Sequence, residues 1–348
     1  MSRLAHSMFG LLVSATLLAA TPLPAAAWGV DGHEAVGDIA DRLLAGTATG
    51  KQVKTILGGT LKNAAIWADC ARSVKRVNKV WVYDKDDKFR AKDCDQFSDD
   101  VNSKALIAFV SRNASHCDSR ASYQQCRHKA YHFTDIPIQR KHYGTSLPGA
   151  DEHDLVHAIA ATLVVLRDKK AKSPAPFDIT SQREAMRLLA HYIGDLHQPL
   201  HVGSIYLNDD GTPLDPANAH EAAAHANAGG NSLVSTKGNL HHLWDTIPGT
   251  LKLALFSLEA SNAAKAQAAT AGPSDGWVQA WADESINLAP LAFKALKIDP
   301  KRDVAGGTKE WPVTTTEPDY QKAREALQRE QIIKAGARLA ALLKVVMH

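Results

Sequence analysis

The sequence predicts an all-α fold, a single compact helical domain held by disulfides. Three observations carry this reading. Apolar residues recur at three- and four-residue steps along most of the chain, the spacing of amphipathic helices. Period-two alternation, the mark of strands, is scarce. No internal repeat or Gly/Pro-rich linker divides the 348 residues, and a 45% hydrophobic content allows a substantial core.

The elements follow in chain order. Arg3 supplies a positive start and Met8–Ala20 is an apolar run too short to span a bilayer comfortably. Ala25 and Ala27 then form an Ala-x-Ala cleavage motif. This pattern predicts a secretory signal peptide over residues 1–27, removed from an exported protein, periplasmic or secreted. No later run of 18 apolar residues suggests a membrane anchor. The mature chain, residues 28–348, is then predicted to begin at Trp28, with His33 five residues on.

Periodicity predicts helices over Glu34–Leu44, Leu61–Arg72, Lys104–Ser111, Asp154–Arg167, Gln182–His197, Asn239–Ala264, Val278–Leu296 and Tyr320–Val346. The last has Ala, Leu and Ile at helical steps with Lys, Arg and Glu between, as a packing helix requires. Polar connections are expected at Val74–Ser103, Asn208–Gly230 and Lys297–Pro318. Within the second, Glu221–Gly230 ("EAAAHANAGG") could extend a helix, but its closing glycine pair and its setting favour a loop, one able to be mobile.

Net charge is +3, too mild to argue for nucleic acid by itself. Four cysteines in an exported chain read as two disulfides, with three connectivities open. The short loop favours Cys117–Cys126, which leaves Cys70–Cys94. A cysteine zinc site is disfavoured, because C-x-x-C spacing is absent.

The sixteen histidines are the informative feature, because many cluster with aspartate. Five pieces stand out: "WGVDGH" (Trp28, His33), "WADCAR" (Asp69, Arg72), "YHFTDIP" (His132, Asp135), "HYIGDLHQPLH" (His191, Asp195, His201) and "NLHHLWD" (His241, Asp245). His191/Asp195 and His241/Asp245 are four apart, so on a helix each pair shares a face and can converge on one metal. His201 follows "QP" and should open a new turn. Competing pairs exist: His153/His157 and His128/His132 have the same spacing, whereas His197 points away from the His191/Asp195 face. One such pair is more often a surface hydrogen bond than a metal site; five pieces in one chain argue for a metal centre.

In order and wording these pieces resemble the mung bean nuclease family, the type I zinc-dependent nucleases that prefer single strands. "HxxxDxxxxxH" followed by "NLHxxWD" carries the resemblance, strengthened by the Trp-to-His spacing at the start. It spans Trp28 to Asp245 and implies a bacterial member, with three Zn²⁺ in a cleft of the fold shared with zinc-dependent phospholipase C. One zinc of a close pair would take Asp69, His132, His191 and Asp195. Its partner would take the α-amino nitrogen and carbonyl oxygen of Trp28, with His33 and a bridging Asp195. The third would take His201, His241 and Asp245.

The resemblance also implies roles beyond the ligands. Arg72 would neutralise phosphate and Asp69 would orient the attacking group. Phe133 and Asp135 would form a base pocket, a ring below and a carboxylate on the base edge. The implied function is an endonuclease cutting single-stranded DNA and RNA to 5′-phosphorylated products, with 3′-nucleotidase activity, acting as a monomer. About 60 residues separate Asp69 from His132, where the fungal enzymes have a short connection. An insertion at about residues 73–131 is therefore expected to roof the cleft. Two other readings are a zinc-dependent phospholipase C and a non-enzymatic exported zinc-binding protein. Nothing here resembles an added lipid-binding domain, and the second would need no Arg72.

Overall fold

The computed structural model describes residues 28–88, 90–114, 127–304 and 309–347. The fold is mainly helical, as the periodicity predicts. It opens with α1 (Gly29–Leu44), α2 (Ala48–Leu57), α3 (Leu61–Ala64) and α4 (Trp67–Ala71), followed by the hairpin β1 (Val74–Val77) and β2 (Val80–Tyr83). Next come α5 (Asp100–Asn113), α6 (Arg127–Ala130), β3 (Ile136–Pro137), α7 (Leu155–Arg167) and α8 (Gln182–Leu196). Short pieces follow: β4 (Gly203–Ser204), β5 (Tyr206–Leu207), β6 (Pro213–Leu214), α9 (Ala219–His225), β7 (Leu233–Ser235) and β8 (Gly238–Asn239). The chain closes with α10 (Leu240–Asp245), α11 (Gly249–Leu255), α12 (Leu258–Lys265), α13 (Trp277–Leu288), α14 (Pro290–Phe293), β9 (Leu296–Ile298), β10 (Arg302–Asp303), β11 (Lys309–Thr315) and α15 (Tyr320–Val346).

The main core lies where α1, α8 and α15 pack together, with Val36, Ile39, Leu189, Ile193, Leu339 and Leu343 buried between them. Close approach of α1 to α15 needs a glycine: a Cβ on Gly336 would stand 2.6 Å from the Ile39 side chain. A second apolar cluster gathers Leu200, Leu240, Trp244, Phe293, Trp311, Val313 and Tyr320.

Three predicted helices are broken, each for a local reason. The Leu61–Arg72 stretch divides at Ala65–Ile66, and the Ala65 carbonyl accepts a hydrogen bond from His191 Nδ1 at 2.6 Å. Asn239–Ala264 divides into α10, α11 and α12. Pro248 has no N–H for a continuing helix and disfavours α geometry in the residue before it. Ser257 then caps α12 by accepting from the Ala260 N–H. Val278–Leu296 divides at Pro290, which opens α14 at a position where its missing N–H costs nothing.

Short strands accompany the helices. β11 is the middle strand of a small sheet, parallel to β7 and antiparallel to β9 and β10. The first half of the expected loop at Glu221–Gly230 is corrected, since it belongs to α9, which Asn218 caps. Cys70–Cys94 is a disulfide across 24 residues of sequence. A loop of that length contributes about 3 kcal/mol by the chain-entropy model. Cys117 and Cys126 lie outside the described residues, and so does the leader. Among the described residues no helix is long and apolar enough to cross a membrane.

Candidate metal centre

The centre is built from short local devices. In α8, Ser181 caps the helix by accepting from the Glu184 N–H, and Glu184 in turn accepts from the Thr180 N–H. His191 and Asp195 then lie on its buried face, both fully buried. The helix ends at His197. Gln198 Oε1 accepts from the Leu200 N–H, which tightens the Pro199–His201 turn and brings His201 back towards the cluster. The parallel pairing of β3 with β4 ties the His132 segment to the His201 segment, and the Thr134 N–H donates to the His201 carbonyl. In α10, Asn239 caps the helix and sets His241 and Asp245 one turn apart on its buried side.

These elements bring the predicted residues together in three groups of buried donors: His33, Asp69 and His191; His132, His191 and Asp195; His201, His241 and Asp245. The first two share His191. Asp195 stands at their centre, with Oδ2 3.1 Å from His132 Nδ1 and 3.2 Å from His191 Nε2. Its Oδ1 is 3.4 Å from His33 Nε2. The His33 ring stacks on His191 with centroids 3.8 Å apart.

The donor chemistry fits a cation. His201 Nδ1 donates to the His132 carbonyl at 2.7 Å, and His241 Nδ1 donates to the Gly229 carbonyl at 2.6 Å. In a neutral imidazole the other nitrogen then carries a lone pair. The two Nε2 atoms nevertheless face each other at 3.0 Å. Two acceptors at that separation have no proton to share, and a metal between them resolves the conflict. His191 Nδ1 likewise donates to the Ala65 carbonyl, which leaves its Nε2 facing His132 Nδ1 at 3.0 Å and Asp195 Oδ2 at 3.2 Å. Both ring nitrogens of His33, with Asp195 Oδ1 and Asp245 Oδ2, are buried without a hydrogen-bond partner among the described residues. Buried polar atoms left without a partner in this way are costly unless a ligand meets them.

Electrostatics favour the deprotonated form at His132, His241, Asp69 and Asp195, and the protonated form at His191 and Asp245. Burial brings His132 down to about 4, and burial with the neighbouring His201 brings His241 down to about 3. Both rings are thus neutral and able to bind metal at pH 7. Burial pushes the Asp69 and Asp195 carboxyls up, but the charge of His191, whose own pKa the two carboxylates raise above the usual imidazole value against its burial, and Arg72 beside Asp69 outweigh it and hold both well below the usual range. Asp245 is the opposite case, raised well above that range by burial, with Asp69 and Asp195 adding repulsion.

Arg72 Nη1 lies 3.3 Å from Asp69 Oδ1, its side chain only 8% exposed. Trp28 is fully buried and lines a cleft of ≈ 360 Å³ with Asp69, Asp245, Ile66 and Ile247. Arg90, Asp93 and Cys94, from the expected insertion, line the same cleft. Phe133 and Asp135 follow His132 directly but are not among its lining residues. The Asp135 carboxyl is pushed up to about 7 by burial. Its backbone is held by the Gly149 carbonyl and the Tyr206 hydroxyl.

The competing histidines fall elsewhere. His153 precedes α7 and sits 3.0 Å from Asp151, so it shares no helix face with His157. His157 sits 2.9 Å from Asp154, the cap of α7. His197 Nδ1 donates to the Ile193 carbonyl, and Arg338 meets its Nε2. His128 is buried but belongs to none of the three groups.

Several supporting residues escape sequence reasoning. Gln198 Nε2 donates to Asp245 Oδ1 at 2.8 Å and orients that carboxylate. Gly194 leaves room for the His33 ring, because a Cβ there would stand 2.7 Å from His33 Nδ1. The one sequence signal was a glycine inside an otherwise helical run. Gly229 adopts φ +60, and a Cβ on it would meet the Leu200 carbonyl at 2.8 Å. The glycine pair read as a mark of mobility thus serves a turn that presents a carbonyl to His241.

Comparison with known proteins agrees with this geometry. The S1/P1 nuclease family model matches residues 28–127 and 109–348. Endonuclease 4 of Arabidopsis thaliana is 29% identical over 65% of this chain and 66% of its own length. Endonuclease 5 of the same plant is 24% identical over 95% of this chain and 94% of its own. Endonuclease 2 is 26% identical, across 63% and 55%. The chain belongs to the S1/P1 nuclease family and is, by that membership, a zinc-dependent hydrolytic nuclease.

Proposed function

We propose that this chain, a bacterial member of the family, is an endonuclease acting on single-stranded DNA and RNA, leaving 5′-phosphates and hydrolysing 3′-nucleotides. The observation that carries the reading is the convergence of three buried imidazoles on Asp195 together with the facing lone pairs of His201 and His241.

Three zincs fit the donors. Asp69, His132, His191 and Asp195 would hold one. The Trp28 terminus, His33 and Asp195 would hold its neighbour, and His201, His241 and Asp245 the third. When bound, zinc supplies a nucleophile near neutral pH and positive charge for phosphoryl oxygens. The chain's residues do the rest. Asp69, held ionised, can accept a proton from the attacking group and orient it. Arg72, one turn on, can turn from Asp69 to a phosphoryl oxygen and stabilise its developing charge. Phe133 can stack a base while Asp135 meets its edge, which a paired base could not reach. The family match begins at Trp28, which accords with a mature chain of residues 28–348 after a leader over 1–27; the 73–131 insertion remains part of the proposal. Export, to the periplasm or outside, accords with the secretion of family members; a monomeric state is part of the same proposal.

Metal analysis with product mapping tests this reading. One preparation should carry three zincs and leave phosphate on the 5′ side of each cut in single-stranded DNA and RNA. Cleavage of phosphatidylcholine alone would establish the phospholipase reading instead. Zinc binding with no hydrolysis of either class would establish the non-enzymatic one.

Arg72→Ala should keep its zinc but lose about 100-fold in kcat, the usual effect of removing one charge-assisted contact to a developing anion. Steady-state kinetics on a polymer and a mononucleotide check it. Unchanged kcat on both would remove Arg72 from the machinery.

A further inference from the structure

The β1–β2 hairpin has no part in the centre described above. It begins two residues after Arg72. Its base is fixed in place: the Asp84 N–H donates to the Ser73 carbonyl, and Ser73 Oγ donates to Asp87. The Tyr83 hydroxyl donates to the Cys94 carbonyl, and Cys94 is bonded to Cys70 beside Asp69. Four residues per strand project about 10 Å from that base.

Charge is concentrated here. From Arg72 to Asp93 eight Lys and Arg stand against four Asp, a net +4, while the whole chain carries only +3. Lys75, Arg76 and Lys79 are exposed. Lys75 pairs with Asp84 at 2.6 Å, but a solvent-exposed pair contributes little and yields readily to another anion. Arg76 lies over the Trp81 ring, 5.8 Å from its centroid. Val77 and Val80 at the tip are 43% and 60% exposed, so apolar surface lies beside the cations.

The turn itself is unusual. Asn78 and Lys79 have φ of 49 and 69. Two consecutive positive φ values between antiparallel strands are the pattern of a hairpin that favours Asn-Gly. Lysine occupies the glycine position although an L side chain is strained there. Folding alone would choose glycine; a charge at the tip is what the lysine adds.

We propose that this hairpin is an accessory binding arm for the sugar–phosphate backbone of a polynucleotide, holding the strand next to the cut. Lys75, Arg76 and Lys79 bind phosphates, and Val77 and Val80 contact sugars and bases. The arm selects polymer over mononucleotide, because a mononucleotide held at the metal centre has no phosphate that far away. This rests on the nuclease reading, and the two are tested separately.

The experiment compares the wild type with Lys75→Gln/Arg76→Gln/Lys79→Gln. The readouts are kcat and KM on a long single-stranded DNA and on a 3′-mononucleotide, over a salt series. The variant should show KM on DNA raised about tenfold at low salt. Its dependence of log kcat/KM on log salt should be shallower by about 2, since each single-strand phosphate contact contributes about 0.7. Mononucleotide kinetics and zinc content should not change. Lys79→Gly gives a second variant that suits the turn better than lysine and cannot fail through misfolding; it should give about a third of the slope change. Unchanged KM and slope on DNA in both variants would overturn the proposal. So would tight, charge-dependent binding of the hairpin to anionic lipid vesicles with no effect on DNA kinetics. A wild type that cleaves neither substrate would overturn the nuclease reading instead.

Discussion

Asp195→Asn is expected to empty the paired metal positions and reduce hydrolysis by about 10³-fold or more. Among the described residues Asp195 is the one carboxylate within 3.4 Å of His33, His132 and His191, so the variant weakens two metal positions at once. The amide has the same shape, and it can hydrogen-bond to imidazole lone pairs, so the fold should survive. What disappears is the negative charge that two cations would share. Metal stabilisation of a transition state is worth several kcal/mol, and each 1.36 kcal/mol is a factor of ten. Elemental analysis should find one zinc, held by His201, His241 and Asp245. The control is His153→Gln/His157→Gln, which removes two histidines whose partners are Asp151 and Asp154 and should leave zinc content unchanged. Three zincs and a near-normal rate in Asp195→Asn would show that Asp195 does not bridge.

The second large effect comes from two residues added ahead of Trp28. The mature terminus is expected to offer its α-amino nitrogen to metal, with the Trp28 carbonyl closing a five-membered chelate. A terminal amine must be deprotonated to bind, and zinc drives that step. Position supports this: Trp28 is fully buried and lines the cleft beside Asp69 and Asp245. Its backbone is held closely, because a Cβ on Gly32 would stand 2.6 Å from Trp28 Cβ, while the Gly32 N–H donates to the Trp28 carbonyl at 3.2 Å. Leaving Gly-Ser ahead of Trp28 turns the amine into an amide, a poor zinc donor. The folded, disulfide-bonded protein should lose zinc from the position shared by His33 and Asp195, keep the third zinc, and lose about 10³-fold in rate by the same arithmetic. Full zinc content with full activity would show that the amine is not a ligand.

Four of the donors could be found in the chain because their spacing is local; the others were named through the family resemblance. His191 and Asp195, like His241 and Asp245, are one helical turn apart, and that distance is set before any tertiary contact forms. The cap of α8 and the break at Pro248 are local as well. The small sheet was not legible, since β7 and β11 are three and seven residues long and pair across a wide gap in sequence. β7 is too short for alternation to register, and β11 carries a proline between its two buried apolar residues, Trp311 and Val313, which reads as a loop.

By itself, the sequence determined which residues can do chemistry and which pairs must share a face. Side-chain type and helical spacing are properties of a few consecutive residues. Only the tertiary structure decided which pairs converge. It turned His191 and His33 onto each other, sent His197 to Arg338, and left His153 to cap its own loop. It also recruited Gln198, Gly194 and the carbonyls of Ala65, His132 and Gly229 as supports. Those roles depend on which backbone lies across from each ring, and segments distant in the chain meet there only when the core between α1, α8 and α15 closes.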